Sequence, residues 1–197
     1  MTISRRVLLS SSIALAATDK AVAAAPSRFI DLSYRAGRLA WPKGDTLAAA
    51  VAVCGRGGVR ADKREGDGAS PAGTFALLPG LYRADRIAPP TTHLPMTALR
   101  PNDGWVDDPL DPRYNRLVSL PYPARHEAMW RADGLYDLVV PIGYNTNPAL
   151  PGRGSAIFLH VARPDFAATE GCIAVTRDVL TELLDLLGPG SVITILP

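Results

Sequence analysis

The sequence predicts a mainly β domain with minor α content, and three features of its 197 residues carry that expectation. Short runs rich in β-branched and aromatic residues recur along the chain, and such residues suit a pleated, half-buried surface. Between them, 17 Gly and 18 Pro punctuate the sequence, which favours short strands and structured loops over long helices. Helical spacing of apolar side chains is clear in one stretch, close to the C-terminus. With 47% hydrophobic residues, the chain has enough apolar material for one compact domain.

In chain order, residues 1–25 read as a signal peptide: a basic start at Arg5 and Arg6, an apolar run from Val7 to Ala17, and small residues Ala21-Val22-Ala23 before the expected cut. The run is too short for a hydrocarbon core that needs roughly 20 residues, so no stable membrane insertion is expected once it is removed. Ser4-Arg5-Arg6-Val7-Leu8-Leu9 also looks like a twin-arginine signal, with Leu8 at the usual Phe position. Residues 26–197 would form the mature domain. Its strand candidates are RFIDLSY, GRLAW, TLAAAVAVC, GTFALL, YDLVVPIG, AIFLHVA and the terminal SVITIL. Thr176 is placed to cap a helix in RDVLTELLDLLG, with Val179, Leu180, Leu183, Leu184 and Leu187 on one face and Gly188-Pro189 as the stop.

Removing residues 1–25 takes away Arg5, Arg6 and Lys20 against Asp19, which leaves the mature chain with no formal net charge. That balance gives no basis for capturing nucleic acid. CGRGG is too short for a dinucleotide fingerprint, and Asp107, Asp108 and Asp111 lack the calcium-loop pattern, so no cofactor and no metal is expected.

The chemistry centres on SAIFLHVARPDFAATEGCIAVT. His160 lies in an apolar strand and Cys172 follows a loop ending in Gly171, so both side chains can meet at one sheet edge. A cysteine attacks as thiolate, and its ordinary pKa of about 8.5 must be offset by a neighbouring imidazole or by backbone dipoles. The Gly171 and Cys172 amides would face an oxyanion, with no Cβ at Gly171 to obstruct the approach. On this reading, His160→Ala slows thiol alkylation near neutral pH more than at pH ~9.5. Spacing alone leaves the alternative open, a core histidine beside a buried thiol. The second of the two cysteines, Cys54, ends a strand-like run where a lone thiol packs as a small hydrophobe, although a Cys54–Cys172 disulfide is also conceivable in an exported chain.

Three segments, DKREGDGASPAGTF, LYDLVVPIGYN and HVARPDFAATEGCIAV, resemble in order and spacing the catalytic domain of the YkuD-type L,D-transpeptidases, whose signature is a His followed by Ser/Thr-x-Gly-Cys. The resemblance spans about residues 28–197. It implies that family's fold, a mixed β-sandwich or barrel-like sheet with a helix after the cysteine. It also implies a peptidoglycan cross-linking enzyme whose partners are stem peptides, acting as acyl donor and acceptor in the periplasm. Carried over, Cys172 is the nucleophile, His160 the base, the Val161 carbonyl the group that orients His160, and Thr169 a support of the loop. Many relatives carry Arg or Asn two residues beyond the cysteine, where this chain has Ala174, so a guanidinium for a substrate carboxylate is missing from that position.

No wall-binding module fits in this length, so the loops DGWVDDPLDPRYN and PARHEAMWRADGLYD would recognise substrate, with Trp105, His126 and Trp130 lining the cleft and Tyr144 and Asn145 beside it. The compact branch of the family suggests a link from the first L-Ala of one stem to the diaminopimelate of another (1→3) ahead of a link between two diaminopimelates (3→3). Alternatives are a hydrolase on the same fold, acting on stem peptides or protein–peptidoglycan links, and a non-catalytic wall-binding module. Papain-like peptidases place Cys before His, the reverse of the order here.

Overall fold

The computed structural model describes residues 30–197, and the signal-peptide reading of residues 1–25 lies outside them. The chain runs through β1 (Asp31–Arg35), β2 (Arg38–Lys43), β3 (Thr46–Val51), β4 (Val59–Arg60), β5 (Ser70–Pro71), β6 (Gly73–Ala76), β7 (Gly80–Tyr82) and β8 (Met96–Ala98). It continues through β9 (Asp103–Val106), β10 (Leu117–Ser119), β11 (His126–Ala128), β12 (Leu138–Pro141), β13 (Phe158–Val161) and β14 (Ile173–Val175), then the helix α1 (Arg177–Leu186) and β15 (Val192–Leu196). Every strand run read from the sequence overlaps one of these strands. The loops assigned to substrate recognition differ: each carries a strand of its own, β9 in the first and β11 in the second.

Two five-stranded mixed sheets form the body, in the orders β3-β2-β1-β15-β6 and β14-β13-β12-β7-β8. A three-stranded sheet, β10-β9-β11, and the pair β4-β5 complete the described residues, and no sheet closes on itself. The main core lies between the two large sheets, where Leu32, Leu39 and Ile193 meet Leu159 and Ile173. The helix closes one side of that core. Thr176 caps it by accepting the Val179 N–H at 3.4 Å, and Leu180, Leu183, Leu184 and Leu187 are fully buried. Burying each such leucine is worth roughly 1.5–3 kcal/mol, which is what holds so short a helix in place. Asp137, buried at the start of β12, pairs with Arg86 at 2.9 Å and with Arg177 in the first turn of α1, tying helix to sheet.

The period of two in β13 decides where the chemistry goes. Leu159 and Val161 face the main core, so Phe158 and His160 face the opposite side. Parallel pairing sets Leu159 beside Ile173 and His160 beside Ala174, which turns Ala174 and the preceding Cys172 toward the same side. There a smaller core of Leu81, Trp105, Met129, Tyr136 and Phe158 packs beneath the three-stranded sheet, and Cys172 belongs to it.

Candidate active site

The segment after Ala168 is fastened from three directions. Thr169 donates its hydroxyl to the Cys172 carbonyl at 2.6 Å and accepts the Gly171 N–H at 3.1 Å. Its backbone pairs with the segment that follows β3, through Thr169 N–H to the Cys54 carbonyl at 2.9 Å and Arg56 N–H to the Thr169 carbonyl at 2.8 Å. From below, the buried Ser70 hydroxyl donates to the Gly171 carbonyl at 2.7 Å. Thr169 thus acts as a clamp on the loop that carries Cys172, although the rim of the cavity also includes it.

Gly171 holds φ +138°, a conformation side chains rarely adopt, and an added Cβ would lie 2.8 Å from the Ala69 carbonyl oxygen and 3.0 Å from Ile157 Cδ1. Gly171→Ala is therefore expected to cost ~2 kcal/mol of stability, read as a lowered urea midpoint, and to displace Cys172 from its place. An unchanged midpoint would show that the loop relaxes freely. The expected pair of oxyanion donors is corrected: the Gly171 N–H is engaged by Thr169, whereas the Cys172 N–H makes no hydrogen bond among the described residues. One backbone donor is left for developing charge.

Cys172 is buried, its thiol 3.3 Å from the Ala156 carbonyl, to which it donates, and 3.3 Å from the Phe158 N–H, which it accepts. Burial pushes the thiol up to about 12, with the Glu127 carboxylate adding to the rise. His160 is also buried, and its Nδ1 lies 2.9 Å from the Val161 carbonyl. A carbonyl only accepts, so Nδ1 carries the proton and Nε2 is left with its lone pair. Burial brings His160 down to about 4, against the favourable carbonyl bond. At neutral pH the resting pair is thiol and neutral imidazole. That removes the basis for contrasting alkylation at neutral pH with pH ~9.5, because the buried thiol is still protonated at the higher value.

Tyr136 fixes the imidazole plane from the side. Its ring stands edge-on to His160 at 5.3 Å and to Phe158 at 5.7 Å, and its hydroxyl donates to Glu127. Burial raises the Glu127 carboxyl above the ordinary range, opposed by the Tyr136 bond and by Arg131, whose Nη1 is 3.7 Å away.

A cavity of about 280 Å³ opens over Cys172 and His160. Ala156, Ala167, Ala168 and Ala174 give it methyl groups, Glu65, Asp107, Glu127 and Glu170 give carboxylates, and Arg131 and Arg163 give guanidiniums. Position 174 is Ala, as the sequence shows, and the guanidiniums at the cavity come from Arg131 and Arg163 on other elements.

Trp105, His126, Trp130, Tyr144 and Asn145 do not line this cavity. Trp105 is buried, its indole N–H donating to Asn115 at 2.9 Å and its ring edge-on to Phe158 at 5.0 Å. The Trp130 ring lies 3.6 Å under the Arg83 guanidinium, and His126 Nδ1 is 2.8 Å from the Ala124 carbonyl. Tyr144 donates to the Arg153 carbonyl at 2.6 Å, and Asn145 bridges to Leu150 and Gly154. Each is engaged within the fold, as an aromatic or amide beside a turn commonly is.

Several cavity residues were missed from the sequence: Glu127, Arg131 and Tyr136 lie in the same segment as Trp130, while Glu65, Asp107, Ser155 and Arg163 come from other segments. Pairing of His126–Ala128 with β9 makes this stretch a strand, which three residues of mixed polarity do not announce in the sequence. Asp108 and Asp111 accept the Leu110 and Arg113 N–H groups as turn residues, and no cluster of metal-ligating side chains occurs among the described residues. Cys54 and Cys172 are both free thiols.

No curated protein and no solved structure matches the chain. The family model of YkuD, the L,D-transpeptidase catalytic domain, matches residues 27–195, nearly the whole length, and the chain belongs to that family.

Proposed function

We propose that the protein is a peptidoglycan L,D-transpeptidase in which Cys172 forms a thioester with one stem peptide and passes the acyl group to an amine of another. One observation carries the reading: a buried thiol and an imidazole with Nε2 unprotonated line one cavity that opens to solvent, and the Cys172 N–H makes no hydrogen bond among the described residues. As Sγ attacks the donor carbonyl, its proton moves to His160 Nε2 and the carbonyl oxygen takes up charge facing the Cys172 N–H. Collapse breaks the C–N bond, and His160 returns the proton to the leaving amine. The acceptor amine then attacks the thioester carbon, the C–S bond breaks, and the amine's proton returns by way of His160 to the thiolate. The Val161 carbonyl needs no carboxylate partner to hold this imidazole, and it stabilises the imidazolium while the proton is stored there.

For the bond made, we place 1→3 ahead of 3→3. The four alanines lining the cavity suit the small side chain of an L-Ala donor better than the long, doubly charged side chain of diaminopimelate. We further propose that residues 1–25 direct export to the periplasm and that residues 26–197 are the catalytic domain. Among the described residues no helix is long and apolar enough to cross a membrane.

Incubation with purified disaccharide-peptides, followed by tandem mass spectrometry, tests the proposal. A dimer with its new amide on an L-Ala carbonyl is the expected product. An amide on a diaminopimelate carbonyl overturns the 1→3 choice alone, and shortened stems without dimers favour the hydrolase.

A further inference from the structure

The charges around the cavity are almost all committed to partners. Glu170 takes Arg56 at 2.9 Å, Asp107 takes Arg125 at 3.0 Å, and Glu65 takes the Tyr114 and Ser155 hydroxyls. Arg131 is held by Asp133, with Nε 3.0 Å from Oδ1. Arg163 differs: its guanidinium makes no hydrogen bond and no ion pair among the described residues, although two carboxylates stand close by. Asp133 is spent on Arg131, and Asp165 accepts the Ala167 N–H at 3.1 Å within its own turn.

The position of Arg163 gives the uncommitted charge a meaning. It lines the cavity that holds Cys172 and His160, and with Leu135 it also lines an adjoining hollow of about 340 Å³, otherwise bounded by Asp133, Pro164 and Asp165. It stands on the chain just beyond β13, near enough to His160 to disfavour the imidazolium. Arg163 and Leu135 are shared by the hollow and the cavity, and the guanidinium is a planar fork suited to a carboxylate.

We propose that Arg163 binds a free carboxylate of the acceptor stem peptide and that the adjoining hollow holds that stem. The proposal rests on the acyl-transfer reading above. The diaminopimelate amine that would attack the thioester is bonded to a carbon that also bears a free carboxylate. Holding the carboxylate at Arg163 would aim the neighbouring nitrogen at the thioester carbon on Cys172 and exclude amines that lack it. Arg163 is then a specificity-determining residue that acts on the second half of the reaction.

The test isolates that half. The full-length protein is first acylated with a donor disaccharide-peptide and freed of excess donor. Diaminopimelate-containing tripeptide is then added at graded concentrations while the adduct mass on the protein is followed. Arg163→Gln is expected to need about tenfold more acceptor than the parent for half-maximal loss of adduct, and Arg163→Lys to fall between them. With an acceptor amidated at the carboxyl beside its amine, the parent and Arg163→Gln should coincide. Equal half-saturation with the free acid overturns the proposal, as does a gap that persists with the amidated acceptor, since that would be a structural effect. A parent that forms no adduct overturns the thioester reading and this inference with it.

Discussion

Cys172→Ala is expected to reduce transfer from a stem-peptide donor to below about a thousandth of the parent rate, because the hydroxyls that also line the cavity, Ser155 and Thr169, are engaged by Glu65 and by the Cys172 carbonyl. Cys54→Ser is expected to retain most of the activity. Cys54 is half-buried against the main core, where its thiol lies 3.6 Å from the Gly55 carbonyl and hydrogen-bonds Tyr34. Its contribution to the site is the backbone carbonyl that accepts the Thr169 N–H, which serine preserves. Circular dichroism on both variants separates chemistry from folding, since Cys172 belongs to the small core and its truncation removes packing there. Comparable loss in two well-folded variants would move the nucleophile elsewhere or require both thiols to act together.

The second large effect is expected at His160. His160 lines the same cavity as the thiol, with its Nε2 free to accept a proton, and general-base catalysis contributes typically 10²–10⁴-fold. His160→Gln should therefore lower the acylation rate by about that range. The pH dependence carries more information. An ordinary imidazole would switch off the parent near pH ~6.5, whereas His160, brought down to about 4 by burial, should keep acylation on a plateau to well below that.

Stability should respond with a definite sign. The folded-state value lies below the unfolded one, so the neutral imidazole stabilises the fold fully above pH ~6.5, and that contribution is lost as pH falls toward about 4. The loss is ~3 kcal/mol between pH 7 and 4, seen as a difference between parent and His160→Gln so that titrating carboxylates cancel. A rate inflection near pH 6.5, with no divergence in stability, would mean that His160 is solvated and not held in the small core.

Much of this arrangement was legible in the sequence because it rests on periodicity. The alternation in Phe158-Leu159-His160-Val161 already separates a core face from a reactive face, and the leucine spacing after Thr176 fixes the helix. The short strands β4, β5, β7–β11 and β14 were not legible. They are two to four residues long, and those of the three-stranded sheet are partly polar, so they are strands by virtue of their partners and not by propensity.

The same reason explains the substrate residues. Aromatics such as Trp105 and Trp130 stand out in a sequence, yet they were drawn inward to Phe158 and to Arg83, while the charged side chains beside them were left to line the cavity. The burial of the thiol had no sequence signal either. It follows from Cys172 preceding β14 on the side that the three-stranded sheet covers.

The acyl-enzyme itself is the most direct test of the account. The parent protein, mixed with a donor disaccharide-peptide and quenched in acid within seconds, should gain the mass of the acyl fragment in intact-protein mass spectrometry. Digestion should place it on Cys172, and hydroxylamine should remove it as it removes a thioester. Turnover of the donor with no such adduct under rapid quenching, or an adduct on any other residue, would contradict the assignment of Cys172 as the nucleophile.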